Sequence, residues 1–200
     1  MKVLSKINRG LILTVVVLLG VIGYLIGLEI VQNGARKDIQ TVCEKYVAAE
    51  VSYRMLPEAN RSDTPNLSTE ALETYLSNMK KDLTSYYVDN EQTYRYLLDS
   101  MEDSLRAQAE GEGVVYQYDK EIIKMDITFR GDMATVSLTC SNTYRGPSDM
   151  AYSKQTAPAA VKTIQGETTD SITLQRVEGE WKLTYSNLST PYPESSGMYY

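Results

Sequence analysis

The sequence has 200 residues, a formal net charge of −6, sixteen tyrosines and no histidine. The lack of histidine excludes Ser-His-Asp and Cys-His catalytic sets, which need an imidazole base, and it removes most zinc sites. Because the first ten residues hold three positive charges, the rest of the chain carries −9. An acidic chain without a basic run argues against direct nucleic-acid binding, which requires Lys and Arg to replace counterions.

The first element is an apolar stretch, Leu11 to Val31, which has no charged residue as far as Leu28. About 20 helical residues reach roughly 30 Å, the thickness of the hydrocarbon core of a bilayer. The run is longer than the apolar part of a cleaved signal peptide, so we expect a retained signal anchor, a transmembrane helix at residues 11–33 in the lipid bilayer. The positive charges before it predict that residues 1–10 are a cytoplasmic tail and that the C-terminal domain lies outside the cell.

Within this stretch, Gly23 and Gly27 form a GxxxG spacing. Such spacing lets two membrane helices approach closely, which predicts helix pairing and a homo-oligomer. The alternative is that glycine is simply common in membrane helices.

Three amphipathic helices are predicted after the anchor, because apolar residues recur at three- and four-residue steps. The first covers Ala35 to Leu56. The second begins near Ser68, whose hydroxyl group suits an N-cap. Asp89 or Asn90 caps the third, and Gly111 follows its end.

From Val114 the apolar period changes to two, which is typical of strands with one buried face. The first strand places four apolar side chains on one face: Ile123, Met125, Ile127 and Phe129. Gly131-Asp132 supplies a tight turn, and the return strand alternates from Ala134 to Cys140. These two strands form a predicted hairpin.

A loop rich in Pro, Ala and Ser is predicted at residues 146–160, and a long strand follows at 162–177. After a turn at 178–180, the last strand directs three side chains inward: Trp181, Leu183 and Tyr185. Residues 189–200 are predicted to form a flexible tail. The domain at residues 34–188 is therefore predicted to be α+β, with three helices packed on a curved antiparallel sheet of about four strands.

Two hairpin sequences carry a family resemblance: ITFRGDMATVSL at 127–138 and DSITLQRVEGEWKLTYSNL at 170–188. Together with the preceding helices they resemble the nuclear transport factor 2-like (cystatin-like cone) superfamily, over roughly residues 36–188. The resemblance implies a cone in which a curved sheet wraps a long helix, although here all the helices precede the sheet. One span followed by an exported domain is also similar in architecture to the inner-membrane scaffold subunits of type IV secretion and conjugation systems.

The cone that the resemblance implies would contain a pocket. Five aromatic residues are candidates for its lining: Tyr46, Tyr53, Tyr75, Tyr185 and Trp181. Enzymes on this fold, such as the ketosteroid isomerases, work through buried Asp and Tyr side chains. Because Asp126 and Asp170 are assigned to the outward face, we expect no catalytic residues, and the scattered acidic residues indicate no metal or cofactor site.

The two cysteines, Cys43 and Cys140, are predicted to point into the same core. In an oxidising exterior they would be able to form a disulfide. The alternative is that they are two small buried apolar side chains.

These observations favour a non-enzymatic single-pass membrane protein. Its extracytoplasmic domain would act as a scaffold or accessory module of an envelope assembly, such as conjugation or transport, through envelope protein partners. The alternative is a tethered binder of a small apolar ligand or peptide in the cone-shaped pocket.

Overall fold

The computed structural model describes residues 9–89, 92–147 and 161–190, without the side chains of residues 9–13, 25–31 and 93. It has three α-helices and four strands: α1 (Arg9–Ser52), α2 (Thr69–Ser85), α3 (Gln92–Ala109), β1 (Gln117–Arg130), β2 (Met133–Pro147), β3 (Val161–Val177) and β4 (Glu180–Asn187). A 3₁₀ turn lies at Glu58–Asn60 between α1 and α2. The chain divides into two compact units, Met1–Ile39 and Gln40–Tyr200. The second unit has the predicted α+β class.

Helix α1 is a single helix of 44 residues that covers both the predicted span and most of the predicted first helix of the domain. None of the helices, over the part of the chain that the structure describes, is both long enough and apolar enough to cross a membrane. In the predicted span, the side chains of residues 11–13 and 25–31 lie outside that description. A Cβ added at Gly23 would meet no atom within 4 Å, whereas the surroundings of Gly27 are not described.

Helix α2 begins where the sequence predicts. The Ser68 hydroxyl accepts a hydrogen bond from the Ala71 N–H at 3.2 Å, which satisfies one of the free donors of the first turn. The buried stripe of this helix follows the three- and four-residue spacing: Leu72, Leu76, Met79 and Leu83. Helix α3 has a similar stripe of Leu98, Met101 and Leu105. Of its two predicted caps, Asn90 is not among the described residues.

The sheet is antiparallel, with strand order β1-β2-β3-β4. The predicted hairpin is confirmed, with Gly131 at its turn in the left-handed region at a φ of 66°. We call the buried side of the sheet the inner face and the exposed side the outer face. The free edge of β4 is covered by the segment after α2, because the Val88 N–H donates to the Leu183 carbonyl at 2.9 Å.

Strand β1 contains a bulge at Ile123. Ile122 pairs with Cys140 and Lys124 with Thr139, so Ile123 has no partner on β2. Its side chain is 56% exposed, and its predicted place on the inner face is wrong. An extra residue exchanges the two faces of a strand. Before the bulge the even-numbered residues therefore point inward, and after it the odd-numbered ones do.

Strand β4 contains a second bulge, at Thr184. Leu183 pairs with Leu174 and Tyr185 with Thr173, so one residue of β4 is left over. Trp181 and Leu183 are buried as predicted, but Tyr185 is 42% exposed and its predicted inward orientation is wrong. The bulge exchanges the faces, and Ser186 points inward in its place.

The predicted loop at 146–160 is shortened by both neighbouring strands, because β2 continues to Pro147 and β3 begins at Val161. Residues 148–160 lie outside the described residues, as do residues 191–200 of the predicted tail. The part of the tail that is described, up to Thr190, follows directly after β4.

Candidate functional site

The five predicted pocket residues do not surround one cavity. Tyr46 is fully buried, and its hydroxyl is engaged inside the domain. Tyr53 and Tyr75 pack against each other, with ring centroids 5.6 Å apart, and the Tyr75 hydroxyl donates to the Met55 carbonyl at 2.8 Å. Trp181 is buried at the far end of β4 from Ser186, and Tyr185 points outward. These aromatic residues therefore lie at separate points of the domain, and Tyr185 lies on its surface.

Three hydroxyl groups form a closed triangle inside the domain. The Tyr46 hydroxyl lies 2.7 Å from the Tyr87 hydroxyl, and both lie 2.6 Å from Ser186 Oγ. Burial raises the pKa of both phenols, and the nearby Glu50 carboxylate raises it further. The triangle therefore stays protonated and neutral, and it joins α1, the segment after α2, and β4.

A buried ion pair lies on the inner face of the sheet. The Lys120 ammonium group donates to Asp170 Oδ2, and the side chains of both residues are 0% exposed. Lys120 Nζ also donates to the Ser189 carbonyl at 2.9 Å and to Thr168 Oγ1 at 3.5 Å. The three N–H groups of the ammonium thus have three acceptors.

The same pair holds the chain just after β4. Asp170 Oδ1 accepts the Ser189 N–H at 2.8 Å, while Lys120 binds the carbonyl of that residue. The outward assignment of Asp170 is therefore wrong, because this residue shares the inward parity of Ile172 and Leu174 on β3. Asp126 is exposed, as predicted, and pairs with Lys124 in solvent.

Asn142 completes this cluster. It is the cross-strand partner of Lys120 on β2 and is 1% exposed. Its Nδ2 donates to Thr168 Oγ1 at 3.0 Å and to the Cys140 carbonyl at 3.1 Å. Its Oδ1 has no hydrogen-bond partner among the described residues. An amide oxygen buried without a donor is costly and is uncommon in native folds.

A second polar cluster connects the C-terminal end of α1 with α3. Arg54 donates to Glu50 Oε1, and the Glu50 side chain is 1% exposed. The Gln108 amide donates to the Arg54 carbonyl at 3.0 Å and accepts the Val115 N–H at 3.3 Å. These bonds link the end of α1 to the chain after α3, where a purely apolar core would leave backbone groups unpaired.

A groove of about 410 Å³ runs beside the first half of β1. Its lining combines the C-terminal turns of α1 with β1 and β2: Ala48, Val51, Ser52, Met55, Tyr118, Asp119, Lys120, Glu121, Ser141 and Thr143. Burial raises the pKa of the Tyr118 phenol, which the Arg54 guanidinium opposes in part. A neutral phenol and apolar side chains therefore form one wall of this groove.

Both cysteines are buried free thiols, so no disulfide joins Cys43 to Cys140 in the structure. Burial raises the pKa of the Cys43 thiol to about 12 and that of the Cys140 thiol to about 11. Since the thiolate is the reactive form, these side chains behave as small apolar groups. Over the described ranges, no group of three metal-ligating side chains occurs.

Three inward polar residues were not predicted from the sequence: Lys120, Asn142 and Ser186. A signal was present for Asn142, because the alternation of β2 continues past Cys140 to Asn142 and Tyr144. Lys120 and Ser186 gave no such signal, since each lies on the far side of a bulge from the clearest apolar alternation.

No protein-family model matches the chain, and no curated protein matches it. Among solved structures it is similar to the Kfla4162 protein from Kribbella flavida, at 13% identity over 80% of this chain and 95% of that one, with a TM-score of 0.42. An NTF2-like superfamily protein from Salmonella enterica is 11% identical over 52% and 66% of the two chains, with a TM-score of 0.32. A candidate dehydratase of the NTF2-like family from Streptomyces avermitilis is 15% identical over 74% and 94%, with a TM-score of 0.31.

Proposed function

We propose that this chain is a single-pass membrane protein whose extracytoplasmic domain is a non-enzymatic scaffold or accessory module of an envelope assembly. The anchor in this proposal is residues 11–33. It is supported by the uncharged sequence from Leu11 to Leu28 and by the positive charges that precede it. The domain after the anchor would then act by contact with envelope proteins.

One observation carries the contact role: the charged and hydroxyl groups of two buried clusters are bound inside the domain. Lys120 and Asp170 bind each other and the backbone of Ser189, and the Tyr46–Tyr87–Ser186 triangle closes on itself. A catalytic acid or base must be within reach of a substrate, and a substrate-binding pocket needs convergent polar groups around free volume. These groups instead hold structural elements together, which is what a rigid interaction module requires.

The outer face of the sheet is a suitable contact surface. Across β2 and β3 it pairs Thr135 with Thr173 and Ser137 with Ser171, and these hydroxyl side chains are exposed or half-buried. Interfaces that form and separate are about as polar as the rest of a protein surface. A surface of small hydroxyl side chains therefore favours a reversible contact over a permanent apolar one.

The test uses the full-length chain in intact cells, with a photo-reactive amino acid at Ser137 on the outer face. We expect the protein in the membrane fraction after alkaline extraction, and a discrete cross-linked product with an envelope protein or a second copy of the chain. The control places the same amino acid at Ser77, an exposed position in α2, and should give little of that product. A protein found in the cytosol, or one that is monomeric and not cross-linked from either position, would contradict the proposal.

The groove beside β1 favours a second candidate, a tethered binder of a small apolar ligand or peptide. Its wall includes Val51, Met55 and the neutral phenol of Tyr118, although the predicted tyrosines lie elsewhere. Titration of the full-length protein with an apolar dye should then give saturable binding that Val51→Arg removes. Binding that is unchanged in this variant would reject the groove as the site.

A further inference from the structure

We propose that Lys120 and Asn142 join in an intramolecular isopeptide bond, with Asp170 as the group that accepts and returns the proton. The bond would form spontaneously within the folded domain, without the help of an enzyme. The inference goes beyond the proposed scaffold role and does not depend on it.

The three residues lie on three neighbouring strands of the inner face. Lys120 on β1 and Asn142 on β2 are paired directly across the two strands. Asp170 lies on β3 opposite Leu138 rather than opposite Asn142, and the Lys120 side chain reaches it there. The bulge at Ile123 is what turns Lys120 inward. Side chains paired directly across antiparallel strands have Cβ atoms about 5 Å apart, a gap that a lysine side chain readily spans.

The side chains of the cluster are buried, although the backbone of Lys120 borders the groove beside β1. Lys120 and Asp170 have fully buried side chains, and Asn142 is 1% exposed. Tyr118 and Tyr144 pack edge to face on one side, with ring centroids 6.1 Å apart. In such surroundings hydrolysis of the product is suppressed.

Hydrogen bonds place the amine, the amide and the carboxylate around the hydroxyl group of Thr168. Thr168 Oγ1 accepts from Asn142 Nδ2 at 3.0 Å and from Lys120 Nζ at 3.5 Å, and it lies 3.5 Å from Asp170 Oδ2. Amine, amide and carboxylate thus share Thr168. The Asn142 carbonyl oxygen, which has no donor in the ground state, is the atom on which negative charge would develop.

The step balances within these residues. The Lys120 ammonium transfers a proton to the Asp170 carboxylate, and the neutral amine attacks Cγ of Asn142. The Asp170 O–H then stabilises the oxygen of the tetrahedral intermediate and protonates the departing nitrogen, and the Asp170 carboxylate so regenerated takes the second proton from the attacking Nζ, which leaves a neutral amide. A C–N bond forms between Lys120 Nζ and Asn142 Cγ, the bond from Cγ to Nδ2 breaks, and ammonia leaves, so neither an oxidant nor a cofactor is needed.

Asp170 itself is the less suitable partner for the new bond. Its Oδ1 is bound to the Ser189 N–H and its Oδ2 to Lys120, and bond formation at its carboxyl carbon would require loss of an oxygen as water. It would also remove the only carboxylate that contacts Lys120 in the described structure. The free carbonyl of Asn142 and the carboxylate of Asp170 therefore have separate roles, as electrophile and as proton acceptor.

The test is the intact mass of the full-length protein. We expect a mass lower than that of the linear sequence by one ammonia, about 17 Da, and a branched tryptic peptide in which Lys120 is uncleaved and joined to Asn142. A mass equal to that of the linear sequence would overturn the proposal. A loss of about 18 Da, with the branch at Asp170, would overturn the assignment of Asn142.

Variants separate the bond from other causes of mass loss. Lys120→Arg keeps the positive charge but should show the full mass of its sequence, and so should Asp170→Ala. Lys124→Arg is the matched control, because Lys124 lies on the same strand in a solvent-exposed pair with Asp126, and it should keep the loss. A loss that persists in Lys120→Arg would contradict the proposal whether or not the other variants fold.

Discussion

Single polar side chains, rather than apolar ones alone, determine how the helices meet the sheet in this domain. The triangle of Tyr46, Tyr87 and Ser186 joins three elements with three hydroxyl groups. Buried hydroxyls that bind one another fix a single arrangement of their elements, because any shift leaves one of them unpaired. The aromatic composition of the chain is consistent with this use, since tyrosine supplies an apolar ring together with a polar tip.

Removal of one hydroxyl tests this point. Tyr46→Phe keeps the ring but leaves Tyr87 and Ser186 with one partner fewer, so we expect a loss of about 1–3 kcal/mol in the free energy of unfolding. Urea denaturation followed by circular dichroism measures it. Tyr185→Phe, next to Ser186 but exposed, is the control and should stay within about 0.5 kcal/mol. Equal losses in the two variants would show that the triangle contributes no more to the free energy of unfolding than an exposed hydroxyl group does.

Among the elements, the start of α2 and the β hairpin were predictable because their signals are local, whereas the predicted helix start at Ala35 is wrong because α1 runs through it. Ser68 caps α2 through its own hydroxyl, and Gly131 turns the hairpin because its left-handed φ suits glycine. The bulges at Ile123 and Thr184 were not predictable, because an extra residue in a strand is visible only in the pairing with the next strand. The same two bulges explain why the inward side chains Lys120 and Ser186 were missed.

The N-cap of α2 gives a prediction about a single secondary-structure element. Ser68→Ala removes the acceptor of the Ala71 N–H, so the free energy of unfolding should fall by about 1 kcal/mol. Ser77→Ala, in the exposed middle of the same helix, should leave it unchanged or raise it slightly, since alanine is the better helix former. Thermal and urea unfolding measure both. If Ser77→Ala loses as much stability as Ser68→Ala, the lost capping hydrogen bond is excluded as the cause.

For the whole molecule, the buried thiol and phenol groups predict how the free energy of unfolding depends on pH. Burial raises the pKa of Cys43 from 9.0 to about 12, of Cys140 from 9.0 to about 11 and of Tyr75 from 10.0 to about 12. Each group is protonated in both states at neutral pH, and above its ordinary pKa it ionises first in the unfolded chain. The stabilisation is therefore complete below about pH 9 and is lost as the pH rises towards 12.

Urea denaturation under reducing conditions, at a series of pH values from 7 to about 11, measures this loss. We expect the free energy of unfolding to decrease over the upper half of the range. In Cys43→Ala the decrease should be shallower, because one of the ionising groups is gone. A profile that runs parallel to that of the unmodified chain would exclude Cys43 as a contributor.

The two bulges also determine how this chain should compare with its relatives. Each bulge is one residue inserted into a strand, and each is required for a polar cluster to face inward. An alignment of homologues should therefore contain single-residue gaps opposite Ile123 and Thr184. In a lineage that has lost the insertion at Ile123, the lysine at position 120 would point into solvent. Asp170 and Asn142 should then be replaced by apolar residues in the same lineage.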